Sequence, residues 1–493
     1  MTGNERCEGS LVEQAASRQG QAGMDVAGVA VVRCRRERHE RRGAPVPACQ
    51  LLDDELVQEV TVGHVVRVTV SEVVLELAAA ELRQGGLDPD PGDVEGMEHV
   101  RHEVERLERW TDARRRRTGR VVRQLDCSLA RNLVTAATPS CLNRSVSMDL
   151  VRPSKARVGD CVAVVSPSWA ASEFYPAVHE QAMRRLTEIT GLVPVEFPTT
   201  RRTSTPQQRA NDLNEAFADP DIRAVVAVIG GDDQITVIPH LDPALPRADP
   251  KPFLGYSDNT NLVNWLWCHG VAGFYGGSSQ LHLGPGPAVD PCHATSLRAA
   301  LLTGERIEIT DPGESEDVGK RWDDPAALVQ YREREATGPW VWAGPERSVT
   351  GPTWGGCAEV LQWILTAGRF PMDPSVLAGG VLLFETSEEL IPAREFAWIL
   401  RSLGERDVLG IVDAVVVARP PASDHERPLT PSQRSAYRVE QCNTALDLIG
   451  RYNPDAVVCV GPPFGHTRPQ WIVPYGGTIT VDGTSRTIWA DYS

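Results

Sequence analysis

The chain has 493 residues, a formal net charge of -16 at pH 7 and 41% hydrophobic residues. This length allows about two to four domains, and the acidic balance argues against a nucleic-acid-binding protein, because phosphate contacts require clustered cations. No apolar run approaches the length of a membrane span. The eleven cysteines include no C-x-x-C pair, as in proteins with reduced thiols. With a polar N-terminus unlike a signal peptide, these features predict a cytoplasmic protein without nucleic-acid or membrane partners.

Residues 1–147 differ in composition from the remainder of the chain. They contain a single aromatic residue, Trp110, and no isoleucine. Aromatic and branched aliphatic side chains provide most of the buried area in a core. The arginine runs of this segment alternate with acidic residues, which favours a solvated, disordered segment over a nucleic-acid-binding patch. We therefore expect either that residues 1–147 are a poorly ordered extension or that Met148 is the natural start.

Residues 148–284 alternate between apolar strands and amphipathic helices. The predicted elements are, in chain order, the strand "CVAVVSPS", the helix "SEFYPAVHEQAMRRLTEIT", the strand "VPVEFP", the helix "STPQQRANDLNEAFAD", the strand "IRAVVAVIGG", the helix "DDQITVIPHL", the strand "PFLGYS" and the helix "DNTNLVNWLWCHG". Nearly continuous apolar strands separated by helices indicate a parallel sheet that is covered on both faces. The sequence thus predicts an α/β domain over residues 148–284.

Residues 285–350 are rich in glycine, proline and charge, and we interpret them as a linker or insert. Alternation resumes over residues 351–493, with the helix "CAEVLQWILTAG", the strand "GGVLLFETSEE", the helix "PAREFAWILRSLGE" and the strands "VDAVVVARP" and "DAVVCVGPPFGH". The tail "GGTITVDGTSRTIWA" predicts an antiparallel hairpin with Asp-Gly at its turn. The stretch "ARPPASDHERPLTPSQRSAYRVE" is expected to be a long loop.

Ser257 stands where the strand "PFLGYS" passes into a helix. Serine is a favoured N-cap residue, but the carboxyl end of a strand in a parallel sheet is also where ligands bind. A nucleophile at this corner would lie near the unpaired N–H groups of the helix start, which suit an oxyanion. Asn259 stands where α/β-hydrolases have a glycine, which disfavours that fold. These residues alone leave both interpretations open, a helix cap and a nucleophile.

Other strand ends carry further candidate residues. Gly230 and Gly231 end the strand "AVVAVIGG", where they form either a tight turn or a close approach of backbone N–H groups to a ligand. Glu385 ends a buried strand, and His466 lies in the loop that follows another. Serine, glutamate and histidine at strand ends are an admissible catalytic triad, because triads are recognised by geometry rather than by chain order. The chain contains no metal-binding motif, and we expect neither a metal nor a cofactor.

Six stretches in order resemble the serine LD-carboxypeptidase family and, within it, the microcin C immunity proteins: "VAVVSPS", "AVIGGDD", "KPFLGYSDNTNL" with "GFYGG", "TWGGCAEVLQWI", "VLLFETSEE" and "FGHTRPQ". The resemblance covers roughly residues 150–490. It implies a nucleophile at Ser257, a general base at His466 that Glu385 orients, and an oxyanion hole made by the N–H of Asp258 with that of Gly230 or Gly231. The implied fold is an N-terminal α/β domain resembling class I glutamine amidotransferases and a β-rich C-terminal domain, often in a homodimer.

The resemblance leaves the small-molecule substrate open between two classes. Immunity-type members cleave the acyl bond of aminoacyl-nucleotide compounds related to microcin C, whereas typical LD-carboxypeptidases remove the terminal D-alanine of murein tetrapeptides. The long insert before "TWGGCAEV" favours the first class. Trp322 falls about where that subgroup places an aromatic side chain against the purine, although a packing role for Trp322, or a binding role for Trp340, Trp342 or Trp354, is also open. A ligand-binding protein without activity is the third hypothesis.

Overall fold

The computed structural model of the chain describes residues 150–370 and 374–493. The predictions for residues 1–147 lie outside the described residues. None of the helices in these two ranges combines the length and the apolarity that spanning a bilayer would require.

The secondary structure over the described residues consists of strands, α-helices and short 3-10 and π turns. The strands are β1 (Cys161–Val165), β2 (Val193–Glu196), β3 (Ile222–Ala227), β4 (Phe253–Gly255), β5 (Gly273–Tyr275), β6 (Arg306–Ile309), β7 (Glu314–Ser315), β8 (Glu335–Ala336), β9 (Val341–Ala343), β10 (Ser348–Cys357), β11 (Val381–Glu385), β12 (Ala414–Val417), β13 (Val457–Val460), β14 (Val473–Tyr475), β15 (Thr478–Asp482) and β16 (Thr487–Asp491). The α-helices are α1 (Ala171–Phe174), α2 (Pro176–Thr190), α3 (Pro206–Ala218), α4 (Ala244–Ala248), α5 (Thr260–Cys268), α6 (Pro291–Arg298), α7 (Ala358–Thr366), α8 (Ala393–Gly404), α9 (Val408–Ile411) and α10 (Pro431–Tyr452).

The first sheet has the strand order β14–β5–β4–β3–β1–β2. Strands β1 to β5 run parallel, as their continuous apolar runs predict. Strand β14 lies antiparallel to β5 at one edge, although it belongs to the last part of the chain. The segment that follows His466 therefore returns to the N-terminal sheet.

The second sheet has the strand order β6–β16–β15–β10–β11–β12–β13–β9. Strands β10 to β13 run parallel, and the hairpin predicted for the tail is confirmed as the antiparallel pair β15–β16. Strands β6 and β9 pair antiparallel at the two edges, so residues 285–350 supply both edges of this sheet. The predicted fold class, a parallel N-terminal sheet with a β-rich C-terminal part, is confirmed; the domain boundaries stay predictions.

Two local predictions are wrong. The stretch "DDQITVIPHL" forms the 3-10 turns Gln234–Thr236 and Ile238–His240 and not an α-helix. Pro239 lacks the N–H that a longer helix would use, and the buried Gln234 side chain bonds the α5 region, accepting from the N–H of Leu262 at 3.1 Å. The predicted long loop ends at Thr430, whose capping box starts the 22-residue helix α10.

The carboxyl ends of the two parallel strand sets meet. Tyr275, the last residue of β5, donates its hydroxyl hydrogen to Oε1 of Glu385, the last residue of β11, at 2.6 Å. In parallel sheets this edge is where functional side chains collect. The fold thus brings the predicted strand-end residues of both sheets to one place.

Candidate active site

Ser257 occupies a strained corner between β4 and α5. It begins the 3-10 turn Ser257–Asn259, and its φ of 63° lies in the left-handed region that side-chain-bearing residues rarely adopt. The N-cap of α5 is Asn259, and no side chain caps this helix. The Ser257 hydroxyl makes no hydrogen bond to any described residue. The helix-cap interpretation of Ser257 therefore finds no support in the geometry.

Both backbone groups of Ser257 are held by neighbouring side chains. Its N–H donates to the hydroxyl oxygen of Tyr275 at 3.2 Å, and its carbonyl oxygen accepts from the Thr260 hydroxyl at 2.6 Å. The Thr260 hydroxyl in turn accepts the N–H of Cys357, at the end of β10, at 3.2 Å. A left-handed residue costs roughly 1–2 kcal/mol, and a surrounding network of this kind is what keeps such a residue in place.

Gly230 leaves the room that the Ser257 side chain occupies. A Cβ atom at position 230 would lie 2.8 Å from Cβ and 2.9 Å from Oγ of Ser257, and 3.2 Å from the backbone nitrogen of Asp258. A Cβ on Gly231 would collide with Ser168. Within the described residues, the N–H groups of Gly230 and Gly231 donate no backbone hydrogen bond. The paired glycines thus permit a close approach of the backbone to the Ser257 side chain; the approach of their N–H groups to a ligand stays a prediction.

The side chain of Asp258 is committed to structure. It is buried and accepts hydrogen bonds from the Ser168 hydroxyl and, at 2.9 Å, from the N–H of Gln234. Asn261 donates to its other oxygen at 3.0 Å. Burial raises the pKa of Asp258, against the effect of these hydrogen bonds. The side-chain oxygens of Asp258 are therefore engaged in structural hydrogen bonds, which leaves its backbone N–H as the candidate oxyanion-hole donor.

His466 and Glu385 form a buried pair. Nδ1 of His466 lies 2.5 Å from Oε2 of Glu385, and the side chains are 7% and 1% exposed. The carboxylate fixes the orientation of the imidazole, and the ring packs edge-on against Tyr256 with centroids 4.9 Å apart. Gly465 allows the loop to come this close, because a Cβ there would lie 2.7 Å from Cβ of Glu385.

The second ring nitrogen of His466 faces another carboxylate. Nε2 lies 3.1 Å from Oε2 of Glu388, whose side chain is 64% exposed. The contact is an ion pair without hydrogen-bond alignment, since Nε2 has no hydrogen-bond partner among the described residues. Burial by itself would lower the pKa of His466, but Glu385 and Glu388 together raise it to about 9.

Trp322 lies in an aromatic cluster beside Ser168 and Gly230. Its ring stacks on that of Trp169, with centroids 6.4 Å apart and planes 18° apart, and Tyr175 meets it edge-on at 5.3 Å. The N–H of Trp169 donates to the carbonyl of Gly230 at 3.2 Å, so this cluster adjoins the Ser257 corner. Of the competing tryptophans, Trp354 is buried and donates to Asn264, which makes it a packing residue.

The segment that carries Trp322 is fastened to the loop of His466. Glu316 and Arg468 exchange two backbone hydrogen bonds, of 2.8 and 2.9 Å, and their side chains form an ion pair at 3.1 Å. Both side chains are buried. An antiparallel contact of this kind sets where residues 317–324 run relative to the site.

The predicted site residues fall into two groups joined by a residue that the sequence analysis missed. Ser257, Asp258, Gly230 and Gly231 surround the β4 corner, and Glu385 contacts His466. Tyr275 bonds both groups, and it could have been found from "GFYGG", since it too ends a parallel strand. Glu388 is exposed, and its proximity to His466 had no sequence signal. Among the described residues, no cluster of three or more His, Cys, Asp or Glu side chains is arranged to hold a metal ion.

Comparison with models of known protein families shows which family the chain belongs to. Residues 162–276 match the model of the LD-carboxypeptidase N-terminal domain, and residues 350–481 match that of the C-terminal domain. The two matches together cover half of the chain. The chain belongs to the LD-carboxypeptidase family. It is accordingly a hydrolase of the peptidase class.

Relatives of this LD-carboxypeptidase family member include a microcin self-immunity protein and a murein tetrapeptide carboxypeptidase. The microcin C7 self-immunity protein MccF of Escherichia coli is 27% identical over 292 residues, which cover 58% of this chain and 79% of that protein. The murein tetrapeptide carboxypeptidase of Pseudomonas aeruginosa is 32% identical over 152 residues, 30% of this chain and 48% of that protein. A structure of MccF in complex with aspartyl sulfamoyl adenosine matches the fold with a TM-score of 0.57 at 22% identity, over 69% of this chain and 98% of that one.

Proposed function

We propose that Ser257, His466 and Glu385 form a catalytic triad that hydrolyses the acyl bond of aminoacyl-nucleotide compounds related to microcin C. One observation carries the proposal: Glu385 contacts His466 through one carboxylate oxygen and, through Tyr275, the Ser257 backbone with the other. Nucleophilic acyl transfer requires a serine hydroxyl and an imidazole that a carboxylate orients. The Ser257 hydroxyl has no hydrogen-bond partner among the described residues, and Glu385 orients His466, so the chain supplies each of these groups.

In the first half of the reaction, Oγ of Ser257 attacks the carbonyl carbon while Nε2 of His466 accepts its proton. The oxygen of the tetrahedral intermediate accepts hydrogen bonds from the N–H of Asp258 and that of Gly230 or Gly231. When the bond to nitrogen breaks, His466 returns the proton to the leaving amine and the acyl group stays on Ser257. Glu385 stabilises the imidazolium and keeps its Nδ1 proton in place.

In the second half, water replaces the amine. His466 accepts a proton from the water as its oxygen attacks the ester carbonyl, and the Ser257–acyl bond then breaks. Oγ of Ser257 recovers the proton from His466, and the free amino acid leaves. Water is the one co-reactant that these steps consume.

The aromatic cluster supports a nucleotide-bearing substrate. Trp322 and Trp169 present partly exposed, nearly parallel rings, and the N–H of Trp169 donates to the carbonyl of Gly230. A purine stacked on an aromatic side chain gains roughly 1–3 kcal/mol. A substrate bound at this cluster would place its acyl group toward Ser257, and hydrolysis would detoxify a microcin-like compound in the cytoplasm. We also expect a homodimer, as the family resemblance implies.

Murein tetrapeptide cleavage is the second candidate function. The local identity of 32% with a murein tetrapeptide carboxypeptidase favours it. In that reaction the aromatic cluster would have no purine to bind. The third candidate, a ligand-binding protein without activity, would leave the Ser257 hydroxyl unreactive.

The test compares two substrates with the purified full-length protein. Seryl-sulfamoyl adenosine and a murein tetrapeptide ending in D-alanine are incubated separately, and the released amino acid is measured by mass spectrometry. Serine release that the variant Ser257→Ala abolishes supports the proposal. Release of D-alanine alone would assign the protein to the second function. Absence of both products, with no labelling of Ser257 by a fluorophosphonate, would leave only a binding role.

A second measurement examines the aromatic cluster. We expect Trp322→Ala to raise KM for the adenosine compound about 5- to 150-fold, which corresponds to the loss of one stacking contact. Trp398→Ala is the matched control, because Trp398 is an exposed tryptophan of α8 without a part in the site. An unchanged KM in Trp322→Ala would return Trp322 to a packing role.

A further inference from the structure

The Glu388 carboxylate lies beside the nitrogen of His466 that the proposed reaction uses, and it has to move before that nitrogen can meet Ser257. The carboxylate lies 3.1 Å from Nε2 of His466, the nitrogen that must accept the proton of Ser257. The described residues give no hydrogen bond between His466 and the Ser257 hydroxyl. In this structure the base is therefore paired with a second carboxylate instead of with its nucleophile.

The backbone around Glu388 is held by hydrogen bonds, whereas its side chain is largely exposed. The neighbouring Ser387 donates to the buried Glu359 through both its N–H, at 3.0 Å, and its hydroxyl, at 2.9 Å. On the other side, the guanidinium of Arg427 donates to the carbonyls of Glu388 and Glu389 at 3.3 and 2.7 Å. The Glu388 side chain can thus change rotamer without moving the loop, since it is 64% exposed and its contact with His466 lacks hydrogen-bond alignment.

The two carboxylates determine the protonation of His466. The groups around its ring are Glu385, Glu388 and, farther away, Glu359, together with His282 and the ring of Tyr256. Burial opposes the charged form, but the acids outweigh it and raise the pKa of His466 to about 9. At neutral pH the imidazole then carries a proton on both nitrogens and cannot act as a base.

We propose that Glu388 binds the α-ammonium group of an aminoacyl substrate and in doing so releases His466 for catalysis. The inference rests on the proposed function. In an aminoacyl compound the ammonium group is one carbon from the scissile carbonyl, which Ser257 attacks. A carboxylate beside the base of that reaction is within reach of this position, and it would gain charge-assisted hydrogen bonds there.

Binding of the ammonium group also explains how His466 loses the proton on Nε2. The added positive charge disfavours the imidazolium, so His466 gives its Nε2 proton to solvent and becomes the neutral base. The class of ligand follows from this chemistry: an acyl group with a free amine next to the scissile carbonyl. In a peptide trimmed from its carboxyl end, the corresponding nitrogen belongs to an amide and carries no charge, so it would not be selected by Glu388.

The first test follows the labelling of Ser257 by a fluorophosphonate, which has no amino group, as a function of pH. In the full-length wild-type protein the labelling rate should rise with pH to a midpoint near 9. In Glu388→Gln the midpoint should fall by about one pH unit or more, with faster labelling at neutral pH. Glu389→Gln, the same change at an exposed neighbour, should follow the wild type. A wild-type profile in Glu388→Gln would overturn the inference.

The second test measures ligand selection. Seryl-sulfamoyl adenosine and its N-acetylated form are compared as substrates, and as competitors of labelling. We expect Glu388→Gln to raise KM for the free amine about tenfold or more and to leave the N-acetylated form unchanged; equal effects on both compounds would contradict the inference. If Ser257 is labelled but Glu388→Gln behaves as the wild type in both tests, only the inference fails. If Ser257 is never labelled, the proposed function fails with it.

Discussion

The hydroxyl of Tyr275 donates to Oε1 of Glu385 at 2.6 Å and joins the end of β5 to the end of β11. The hydroxyl oxygen of Tyr275 also accepts a hydrogen bond from the N–H of Ser257 at 3.2 Å. Burial, with the adjacent carboxylate, raises the pKa of Tyr275 well above its usual value, so the hydroxyl remains a donor. One side chain thus sets the position of the predicted nucleophile relative to the carboxylate that holds His466.

The variant Tyr275→Phe should lower kcat about 10- to 100-fold and change KM little. It removes a hydrogen bond to a charged group, worth about 1.5–3 kcal/mol, and it frees the N–H of Ser257. Tyr475→Phe is the matched control, since Tyr475 is also fully buried but donates to the backbone carbonyl of Gly355 at 3.2 Å. The measurement is kcat and KM of both variants by steady-state kinetics. An equal loss of kcat in both would make Tyr275 a packing residue only.

The variant Gly230→Ala should reduce activity about 100-fold, with a smaller effect on folding. The new Cβ would lie 2.8 Å from Cβ and 2.9 Å from Oγ of Ser257, so the nucleophile must shift, and a misplacement of about 1 Å can cost a factor of that size. Gly450→Ala in α10 is the control, because a Cβ there meets nothing within 4 Å. The measurement is the fluorophosphonate labelling rate alongside a thermal unfolding curve. Labelling at the wild-type rate would show that Gly230 does not constrain Ser257.

The stability of the protein should depend on the titration of His466. Its pKa is about 9 in the folded chain and about 6.5 in an unfolded chain, so the folded state binds the proton more tightly. The stabilisation is complete below about pH 6.5 and is lost as the pH rises through 9, with a maximum of about 3 kcal/mol.

Urea unfolding of the wild type and of His466→Asn, in parallel from about pH 6 to pH 9.5, checks this pH dependence. The difference in unfolding free energy between the two proteins should shrink as the pH rises, because only the wild type loses the stabilisation that comes from the His466 proton. A difference that is constant or that grows with pH would contradict the raised pKa of His466.

Sequence patterns did not predict β5, β6, β9, β10 or β14. They predicted β1 to β4, β11 to β13 and the hairpin β15–β16, because a run such as "AVVAVIGG" reports burial on both faces whatever its neighbours are. They failed where tertiary contacts decide local structure. The side chain of Gln234 forms hydrogen bonds with Asn259 and Leu262, and the stretch that begins with it forms 3-10 turns despite its helical spacing. The stretch predicted as a long loop contains the start of α10, which the capping box of Thr430 and Gln433 marks.

The sequence by itself determined which residues stand at the carboxyl ends of the strands: Ser257, Glu385 and, after a short loop, His466. That information is local, since it depends only on where an apolar run stops. Only the tertiary structure decided which of these ends meet. Tyr275 reaches Glu385 across 110 residues of chain and Glu385 reaches His466 across 81, distances over which no periodic pattern carries information. The orientation of the exposed Glu388 toward His466 was decided the same way, because side-chain direction depends on the packing of the loop around it.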